Sequence, residues 1–457
     1  MAEKIKRYVT RTSARKAVKY MKKDPEKSLP KLMEWADRID RTGAFENHRN
    51  AFRGAIEDPE NNWHILLKKV WTDVDEGVRT RLFENFIINA CFEGLTRQRE
   101  NEKKYGCNIP WAILISPTTA CNLHCTGCWA ANYQKQKNLS FETMDYIVRQ
   151  AKDLGTYMFI FTGGEPLVRK DDIIKLCEAH PDCVFLAFTN GTLIDNDFAY
   201  EMLRVKNFIP AISIEGFEEE NDFRRGKGTY KQILDAFEIL RQKKLPFGVS
   251  CCYTSKNAEL IGSEEFFDFL VAQKAFFSWL FLYMPIGNHA DASLMVSAEQ
   301  REYMYHQIRK FRKTKPLFTM DFWNDGDAVG GCIAAGRRYL HINALGQVEP
   351  CAFVHYSDSD IHHKTLLQAY RSPLFMEYRK NQPFNENLLR PCPILDNAGK
   401  LAEMVDWCNA KSTDMASPED VHTYCDKCRS AAEKWAPVAD RLWKQNPKNP
   451  MREEVGQ

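Results

Sequence analysis

The chain lacks any long hydrophobic run. No stretch approaches the roughly 18 apolar residues that a membrane-spanning helix requires, and its longest apolar pieces are short, such as residues 184–188. The first residues also lack the apolar core of about 7–15 residues that a secretory signal needs. Internal repeats and low-complexity blocks are absent as well. These absences favour a globular protein of the cytoplasm over a membrane-spanning or exported one.

Negative charge is scarce at the start of the sequence. Glu3 is the sole acidic residue among the first 23, which carry nine lysines and arginines. The formal net charge of the whole chain is only +2, so the remainder is net acidic. A basic head can dock on an anionic lipid surface or on a nucleic acid, or it can be a solvated helix. We keep peripheral membrane contact as a hypothesis and expect no nucleic-acid partner.

Length and pattern divide the chain into three regions. A chain of 457 residues is long enough for two or three domains. Residues 1–108 are predicted to be helical, because apolar side chains recur at helical spacing within residues 32–39 and 82–90. Residues 109–315 alternate between strands and helices. Residues 316–457 form a small cysteine-rich domain that closes with a helix and a charged tail.

Short apolar runs alternate with amphipathic helices in the middle region. Helices are predicted to begin after Ser140, near Thr229, after Ser263 and after a capping box at Ser297. Strands that alternate with helices indicate a parallel sheet with right-handed crossovers. Ligands of such sheets bind beyond the carboxyl ends of the strands. The six predicted strands are residues 111–115, 157–161, 184–188, 210–214, 247–253 and 278–283.

A loop with three closely spaced cysteines follows the first of these strands. Cys121, Cys125 and Cys128 are separated by three and two residues, and the chain has an odd total of 15 cysteines. This usage indicates metal ligation in a reducing compartment. A structural zinc site needs four ligands, whereas three thiolates suit a four-iron, four-sulfur cluster with one open iron. A zinc knuckle with His124 as its fourth ligand is the alternative.

The loop resembles the cluster-binding signature of radical S-adenosylmethionine (radical SAM) enzymes. The resemblance implies an α/β fold, a partial (β/α)6 barrel, with an N-terminal helical region and a small Cys-rich C-terminal domain. It also implies that the amino and carboxylate groups of SAM occupy the open iron of a [4Fe-4S] cluster. One departure is that Gly127 stands where the family has an aromatic residue, and the aromatic Trp129 follows the third cysteine. The residue that packs on the adenine is therefore left open.

Glycine-rich and polar segments end the next two strands. Gly163, Gly164 and Glu165 belong to a Gly-Gly-Glu-Pro stretch, whose glycines allow the backbone to approach a ligand closely. The stretch matches the family motif that contacts the methionine amino group of SAM. Thr189 and Asn190 end the third strand. The resemblance assigns them to the ribose or the carboxylate of SAM.

The fourth strand ends at Ser213 and Glu215, and Arg224 and Arg225 follow shortly after. In the family, a similar stretch and a following arginine bind the polar groups of SAM. A guanidinium suits a carboxylate because it forms paired, charge-assisted hydrogen bonds. We select Arg224 over Arg225, although either could instead pair with the acidic residues 218–220.

The C-terminal region carries a second group of cysteines. Two of them flank a predicted hairpin, residues 339–342 and 348–353, and two are separated by only two residues. The arrangement resembles the twitch version of the SPASM extension of radical SAM enzymes, which implies one auxiliary [4Fe-4S] cluster. Cys392 could displace one ligand, with Cys408 a weaker candidate, and structural zinc is the alternative metal. The predicted ligands are Cys332, Cys351, Cys425 and Cys428.

Taken together, the resemblance predicts a radical SAM enzyme that cleaves SAM reductively and abstracts hydrogen from a substrate through a 5'-deoxyadenosyl radical. The twitch and SPASM relatives favour a peptide or protein side chain as that substrate. An enzyme that modifies lipids at a membrane surface is one alternative, and a non-catalytic zinc- or cluster-binding scaffold is another. The reaction needs an electron donor such as flavodoxin or ferredoxin. No residue is predicted to act as a catalytic acid, base or nucleophile.

Overall fold

The computed structural model describes residues 57–130, 137–287, 290–414 and 418–450, together with Glu34, Asp37, Arg53 and Gly54. The predicted basic head, the apolar positions of residues 32–39 and the end of the charged tail lie outside the described residues.

The described part of the first region is helical. It contains α1 (Asn62–Asp73), α2 (Glu76–Phe83), a π-helix (Glu84–Gly94) and α3 (Leu95–Tyr105). Amide side chains of the π-helix donate hydrogen bonds to backbone carbonyls of residues 181–183. Asn85 donates a 2.7 Å hydrogen bond to the carbonyl of Cys183, directly before a strand of the sheet.

Nine strands form one sheet in the order β7-β6-β5-β4-β3-β2-β1-β8-β9. All neighbours in this sheet pair in parallel except β8 and β9, which are antiparallel. The predicted α/β fold with a mostly parallel sheet is confirmed. The strands are β1 (Ala112–Ile115), β2 (Met158–Phe161), β3 (Val184–Thr189), β4 (Phe208–Ser213), β5 (Gly248–Tyr253), β6 (Phe277–Leu282), β7 (Phe318–Asp321), β8 (Tyr339–Ile342) and β9 (Val348–Glu349).

Helices connect the parallel strands and begin at the predicted caps. The hydroxyls of Ser140, Ser263 and Ser297 each accept an N–H from the first turn of their helix, and Ser297 forms the predicted capping box with Gln300. The connecting helices are α4 (Phe141–Leu154), α5 (Lys170–Ala179), α6 (Asn196–Val205), α7 (Glu218–Arg225), α8 (Thr229–Gln242), α9 (Ala258–Ile261), α10 (Glu264–Ala272) and α11 (Ala298–Thr314).

Three strands of the sheet, β7 to β9, belong to residues 316–457, which the sequence patterns predict to be a domain separate from residues 109–315. The predicted hairpin exists as β8 and β9, but β8 also lies beside β1, with Ala112 opposite Tyr339. β1, the first strand in the described residues, is therefore an interior strand, which pairs with β2 on one side and with β8 on the other. This arrangement brings the C-terminal cysteines close to the loop that follows β1.

The remaining elements belong to residues 316–457. The predicted closing helix exists, and none of the helices in the described residues is long and apolar enough to cross a membrane. Residues 356–357 and 411–412 form a short antiparallel pair of strands, and the three helices between residues 366 and 408 lie between these two strands in the chain. These elements are α12 (Gly326–Val329), β10 (Tyr356–Ser357), α13 (Leu366–Tyr370), α14 (Pro373–Asn381), α15 (Lys400–Cys408), β11 (Lys411–Ser412) and α16 (Val421–Gln445).

Candidate cofactor site

Cys121, Cys125 and Cys128 line one end of a cavity of about 430 Å3, which we call the first cavity. It opens where the parallel strands end, as expected for an α/β fold. Burial raises the pKa of Cys121 to about 11 and also raises the pKa of Cys125. The two sulfurs are therefore neutral thiols at pH 7 until a metal binds and deprotonates them. His124 is exposed and does not line this cavity.

The donor set of the loop fits an iron–sulfur cluster. Among the described residues, no three His, Cys, Asp or Glu side chains are gathered closely enough to hold a single metal ion. A [4Fe-4S] cluster binds each thiolate at a separate iron, so its ligands need not meet at one ion. The N–H of Leu123 lies 3.4 Å from Sγ of Cys121 and points a donor at that sulfur. Three thiols on one wall are the arrangement that such a cluster requires.

The Gly-Gly-Glu stretch packs directly on the cysteine loop. The N–H of Gly164 donates to the carbonyl of Thr118 at 3.1 Å, and the N–H of Glu165 donates to the carbonyl of Ala120 at 2.8 Å. A Cβ atom on Gly164 would lie 2.2 Å from that Ala120 oxygen. Gly163 and Gly164 line the first cavity too. The glycines thus allow close approach to the neighbouring loop, in addition to any ligand.

Glu165 is 1% exposed, and its carboxylate is used inside the protein. It accepts hydrogen bonds from the hydroxyl of Thr189 at 2.6 Å, from the N–H of Asn190 at 2.7 Å and from the N–H of Leu167 at 2.9 Å. Burial raises the pKa of Glu165, although these hydrogen bonds act to lower it. Glu165 therefore ties the ends of β2 and β3 together at the wall of the first cavity.

Glu215 lies behind the cavity wall, fully buried, and does not line the cavity itself. Nη1 of Arg224 lies 2.5 Å from its Oε1, Nε of Arg225 lies 2.9 Å from the same atom, and the N–H of Cys252 donates to Oε2 at 2.9 Å. Burial acts to raise the pKa of Glu215, but the two arginines outweigh it and lower that pKa. The prediction had to choose between Arg224 and Arg225, whereas the structure uses both.

Arg224 has one donor left over. Its Nε is buried and has no hydrogen-bond partner among the described residues, while the side chain lines the first cavity. Ser213, Thr189 and Asn190 also line the cavity, so the structure brings these predicted residues together with the three cysteines. An unused guanidinium donor beside polar strand ends suits an anionic or carboxylate-bearing ligand.

Sequence reasoning missed one residue of this cavity wall, Cys252, and left the place of Trp129 open. Cys252 belongs to neither of the two cysteine groups that are predicted to bind metal, yet it lines the first cavity two residues after Ser250, which also lines it. The alternation of β5 could have identified it, because every second residue of a strand faces the same side. Trp129 also lines the cavity, and its ring centroid lies 6.0 Å from that of His341 and 6.1 Å from that of Phe353.

A second cavity lies next to the first, and Cys332, Cys351 and Cys392 line it. The hydroxyl oxygen of Tyr339 lies 2.6 Å from Sγ of Cys351. Burial raises the pKa of Cys351 to about 12. Sγ of Cys392 accepts N–H groups from the two residues 394–395, at 3.5 and 3.4 Å. Cys392, the alternative ligand of the sequence prediction, is thus the cysteine that shares a cavity with Cys332 and Cys351.

Cys425 and Cys428 are buried on α16 but do not line the second cavity. Burial raises the pKa of Tyr378, and negative charge on the three cavity cysteines and on Cys425 would raise it further. Tyr378, which lines the second cavity, is therefore influenced by Cys425 as well as by the cavity cysteines. Cys408, at the end of α15, does not line it.

Comparison with known proteins finds a family model that matches the segment carrying the cysteine loop. The sequence model of the Radical SAM superfamily matches residues 115–256, which include the cysteine loop and the first five strand ends. An AdoMet-dependent heme synthase of Oleidesulfovibrio alaskensis is 24% identical over 310 residues, 61% of this chain and 78% of that protein. A cysteine-type anaerobic sulfatase-maturating enzyme of Clostridium perfringens is 27% identical over 170 residues, 33% of this chain and 46% of that enzyme.

The fold also matches solved structures. Streptococcus suis SuiB, bound to the precursor peptide SuiA, superposes with a TM-score of 0.54 at 21% identity, over 65% of this chain and 74% of that chain. The structure of SuiB bound to S-adenosylmethionine gives the same TM-score, over 65% of this chain and 75% of that chain. The likeness supports the α/β architecture described above.

Proposed function

Because this chain belongs to the radical SAM superfamily, we propose that it is an enzyme that binds a [4Fe-4S] cluster through Cys121, Cys125 and Cys128. A cluster held there would supply the one-electron reduction that cleaves SAM to methionine and a 5'-deoxyadenosyl radical, the species that would abstract hydrogen from the substrate. A protein of the flavodoxin or ferredoxin class is the proposed electron donor. The protein itself binds, orients and shields the reactants.

One observation carries this proposal. The three cysteines, the Gly-Gly-Glu stretch, the polar strand ends and an incompletely paired arginine all line the same cavity. The free Nε of Arg224 is the proposed donor to the carboxylate of SAM, and Ser213, Thr189 and Asn190 are its proposed polar contacts. Glu165 and Glu215 are proposed to position other residues. Glu165 holds the ends of β2 and β3 together, and Glu215 fixes Arg224 and Arg225 through ion pairs.

The second cavity is the proposed site of an auxiliary [4Fe-4S] cluster. Cys332, Cys351 and Cys392 supply three thiols on its wall, and Cys425 or Cys428 is the proposed fourth ligand. This set keeps three of the four cysteines predicted from sequence and adds the alternative Cys392. We also propose that residues 1–108, 109–315 and 316–457 act as the helical, catalytic and auxiliary-cluster parts of the chain.

The names of the relatives make a peptide or protein side chain the first candidate substrate. SuiB was solved with a precursor peptide, and the Clostridium perfringens relative is named for maturing a sulfatase. The heme synthases, whose name gives a different substrate, match a larger part of this chain. The cytoplasm is the proposed location of the reaction. Lipid modification is the second candidate, since the first cavity continues into a part that is lined by apolar side chains such as Trp279, Phe281 and Phe322.

The central test is anaerobic reconstitution of the full chain, followed by counting of iron and sulfide and by assay of 5'-deoxyadenosine under dithionite. Iron and sulfide in cluster stoichiometry together with 5'-deoxyadenosine are the expected results. Zinc without sulfide would support the scaffold alternative. A loaded cluster that forms no 5'-deoxyadenosine from SAM would contradict the proposed activity.

The membrane hypothesis has a separate test. Co-sedimentation with anionic liposomes compares the full chain with a variant that lacks residues 1–23. Binding that depends on this basic segment would favour a lipid substrate. If neither form binds, a peptide or protein substrate is favoured.

A further inference from the structure

The first cavity extends from the cysteine loop towards the beginnings of the strands. Ala112, the first residue of β1, lines it, as does Arg338, directly before β8. The carbonyl of Arg338 accepts the N–H groups of Trp111 and Ala112 at 2.7 and 2.9 Å. Because β1 and β8 are parallel, these residues mark the end of the cavity opposite the three cysteines.

The part of the cavity between these two ends is lined mainly by apolar and aromatic side chains. They come from positions on several strands and on the loops that precede or follow them. Such a surface favours a ligand that removes apolar area from water. The side chains are Trp111, Leu114, Phe188, Trp279, Phe281, Met320 and Phe322.

Charged side chains in the cavity lining occur at its two ends. Near the cysteines, Glu165 is occupied by internal hydrogen bonds, and Arg224 and Arg225 both pair with Glu215. At the opposite end, Arg338 is exposed and has a single hydrogen bond, from Nη1 to a carbonyl at 3.4 Å. No carboxylate in the described ranges pairs with its guanidinium. This cation is therefore available to an anion that enters the cavity.

The length of β1 sets the spacing of the two ends. From Ala112 to Ile115 the strand advances three residues, which is about 10 Å at 3.3 Å per residue. A ligand that contacts Arg338 and also reaches the radical site must span at least this distance. Its middle part then lies against Trp279 and Phe281, where no described charged side chain lines the cavity.

We infer that the second candidate, a lipid-like molecule, is the substrate of the proposed reaction: an amphiphile with an apolar body about 10 Å or more in length and a single carboxylate or phosphate at one end. Arg338 binds the anionic group through its planar set of donors. The apolar body fills the aromatic part of the cavity and brings a C–H bond to the cysteine end. The inference rests on the proposed function for the position of the radical, but not for the binding of the ligand.

The test is calorimetric titration of the cluster-loaded full chain, with SAM present, by decanoate, decyl phosphate, decanol and decylamine below their micelle concentrations. We expect the two anions to bind more tightly than decanol, and decanol more tightly than decylamine. The tighter of the two anions identifies the end group as carboxylate or phosphate. Equal affinity for decanoate and decylamine, or no binding of any probe while SAM binds normally, would overturn the inference.

Substitution of Arg338 provides the sharper comparison. Arg338→Leu should weaken binding of the anions roughly fivefold, the value of one partly exposed charge pair, and leave decanol unchanged. Arg338→Glu should reverse the preference towards decylamine. Arg149→Leu, an exposed arginine on α4 outside the cavity, is the matched control and should change nothing. Equal loss in the control and in Arg338→Leu would contradict a specific role for Arg338.

A second variant tests the apolar part of the cavity. Met320→Trp adds bulk to a partly exposed lining position of β7 and should lower the affinity of all four probes while SAM affinity stays unchanged. Formation of 5'-deoxyadenosine without substrate is measured on the same samples. Loss of that activity in the wild type would count against the proposed function, whereas unchanged probe binding in Met320→Trp would count against this inference alone.

Discussion

The hydroxyl of Tyr339 lies 2.6 Å from Sγ of Cys351, and Tyr339 lines both cavities. Burial raises the pKa of Tyr339 well above its ordinary value, and negative charge on Cys351 adds to this. When Cys351 is a metal-bound thiolate, the tyrosine is therefore the donor. The contact connects the wall of the first cavity to a proposed ligand in the second.

Tyr339→Phe should shift the midpoint potential of the auxiliary cluster to a more negative value. Hydrogen bonds to cluster sulfurs raise the potential because they stabilise the more negative reduced state. If the hydrogen bond stabilises the reduced state by about 1.4 kcal/mol more than the oxidised state, its loss corresponds to about 60 mV for a one-electron couple. Redox titration followed by electron paramagnetic resonance measures the shift. Tyr370→Phe is the control, because that buried hydroxyl has no hydrogen-bond partner among the described residues and lines neither cavity. Equal shifts in both variants would contradict the assignment.

Single cysteine variants should separate the two clusters. Cys125→Ala should abolish formation of 5'-deoxyadenosine while the auxiliary cluster remains detectable, since Cys125 lines the first cavity alone. Cys392→Ala should lower iron and sulfide by up to one cluster and leave the first cluster bound. Cys408→Ala, which alters a cysteine outside both cavities, should retain the full iron content. Loss of all iron in Cys125→Ala would mean that the second site is misassigned.

Gly164→Ala should displace the cysteine loop. The added Cβ would lie 2.2 Å from the carbonyl oxygen of Ala120, a backbone atom that cannot move without the loop. We expect iron incorporation at the first site to fall severalfold, and overpacking of this kind to lower the free energy of unfolding by roughly 1–3 kcal/mol. Gly54→Ala is the control, because a Cβ there meets nothing within 4 Å. Full iron loading of Gly164→Ala, measured by iron and sulfide analysis, would contradict this account.

Glu215→Gln should destabilise the protein near neutral pH by about 3–5 kcal/mol, because it leaves two buried guanidinium groups without their counter-charge. The arginines hold the pKa of Glu215 below its ordinary value. Its stabilising effect is therefore present above the unfolded pKa of about 4.3 and is lost as pH falls through the lower folded pKa. The difference between variant and wild type should shrink below about pH 4. Urea unfolding at several pH values measures it, and a constant difference down to acid pH would contradict the assignment.

Much of the fold could be predicted from the sequence because its signals are local. The six predicted strands of the middle region exist, with ends shifted by one or two residues, and the helix caps Ser140, Ser263 and Ser297 act as predicted. Strand alternation, cap chemistry and the spacing of Cys121, Cys125 and Cys128 each depend on residues that are close together in the chain. Such patterns can be read without knowing the tertiary structure.

Contacts between distant residues were decided by tertiary structure alone. The pairing of β8 with β1 joins segments more than 200 residues apart, and it accounts for the second cavity lying beside the first. The hydrogen bond from Thr189 to Glu165 and the ion pairs of Arg224 and Arg225 with Glu215 form because of the way the strands are arranged in the sheet. The same is true of Cys392, whose sequence spacing matches no motif. Sequence patterns therefore specified which residues can bind cofactors, whereas the order of strands in the sheet decided which of them meet and which cavity each one faces.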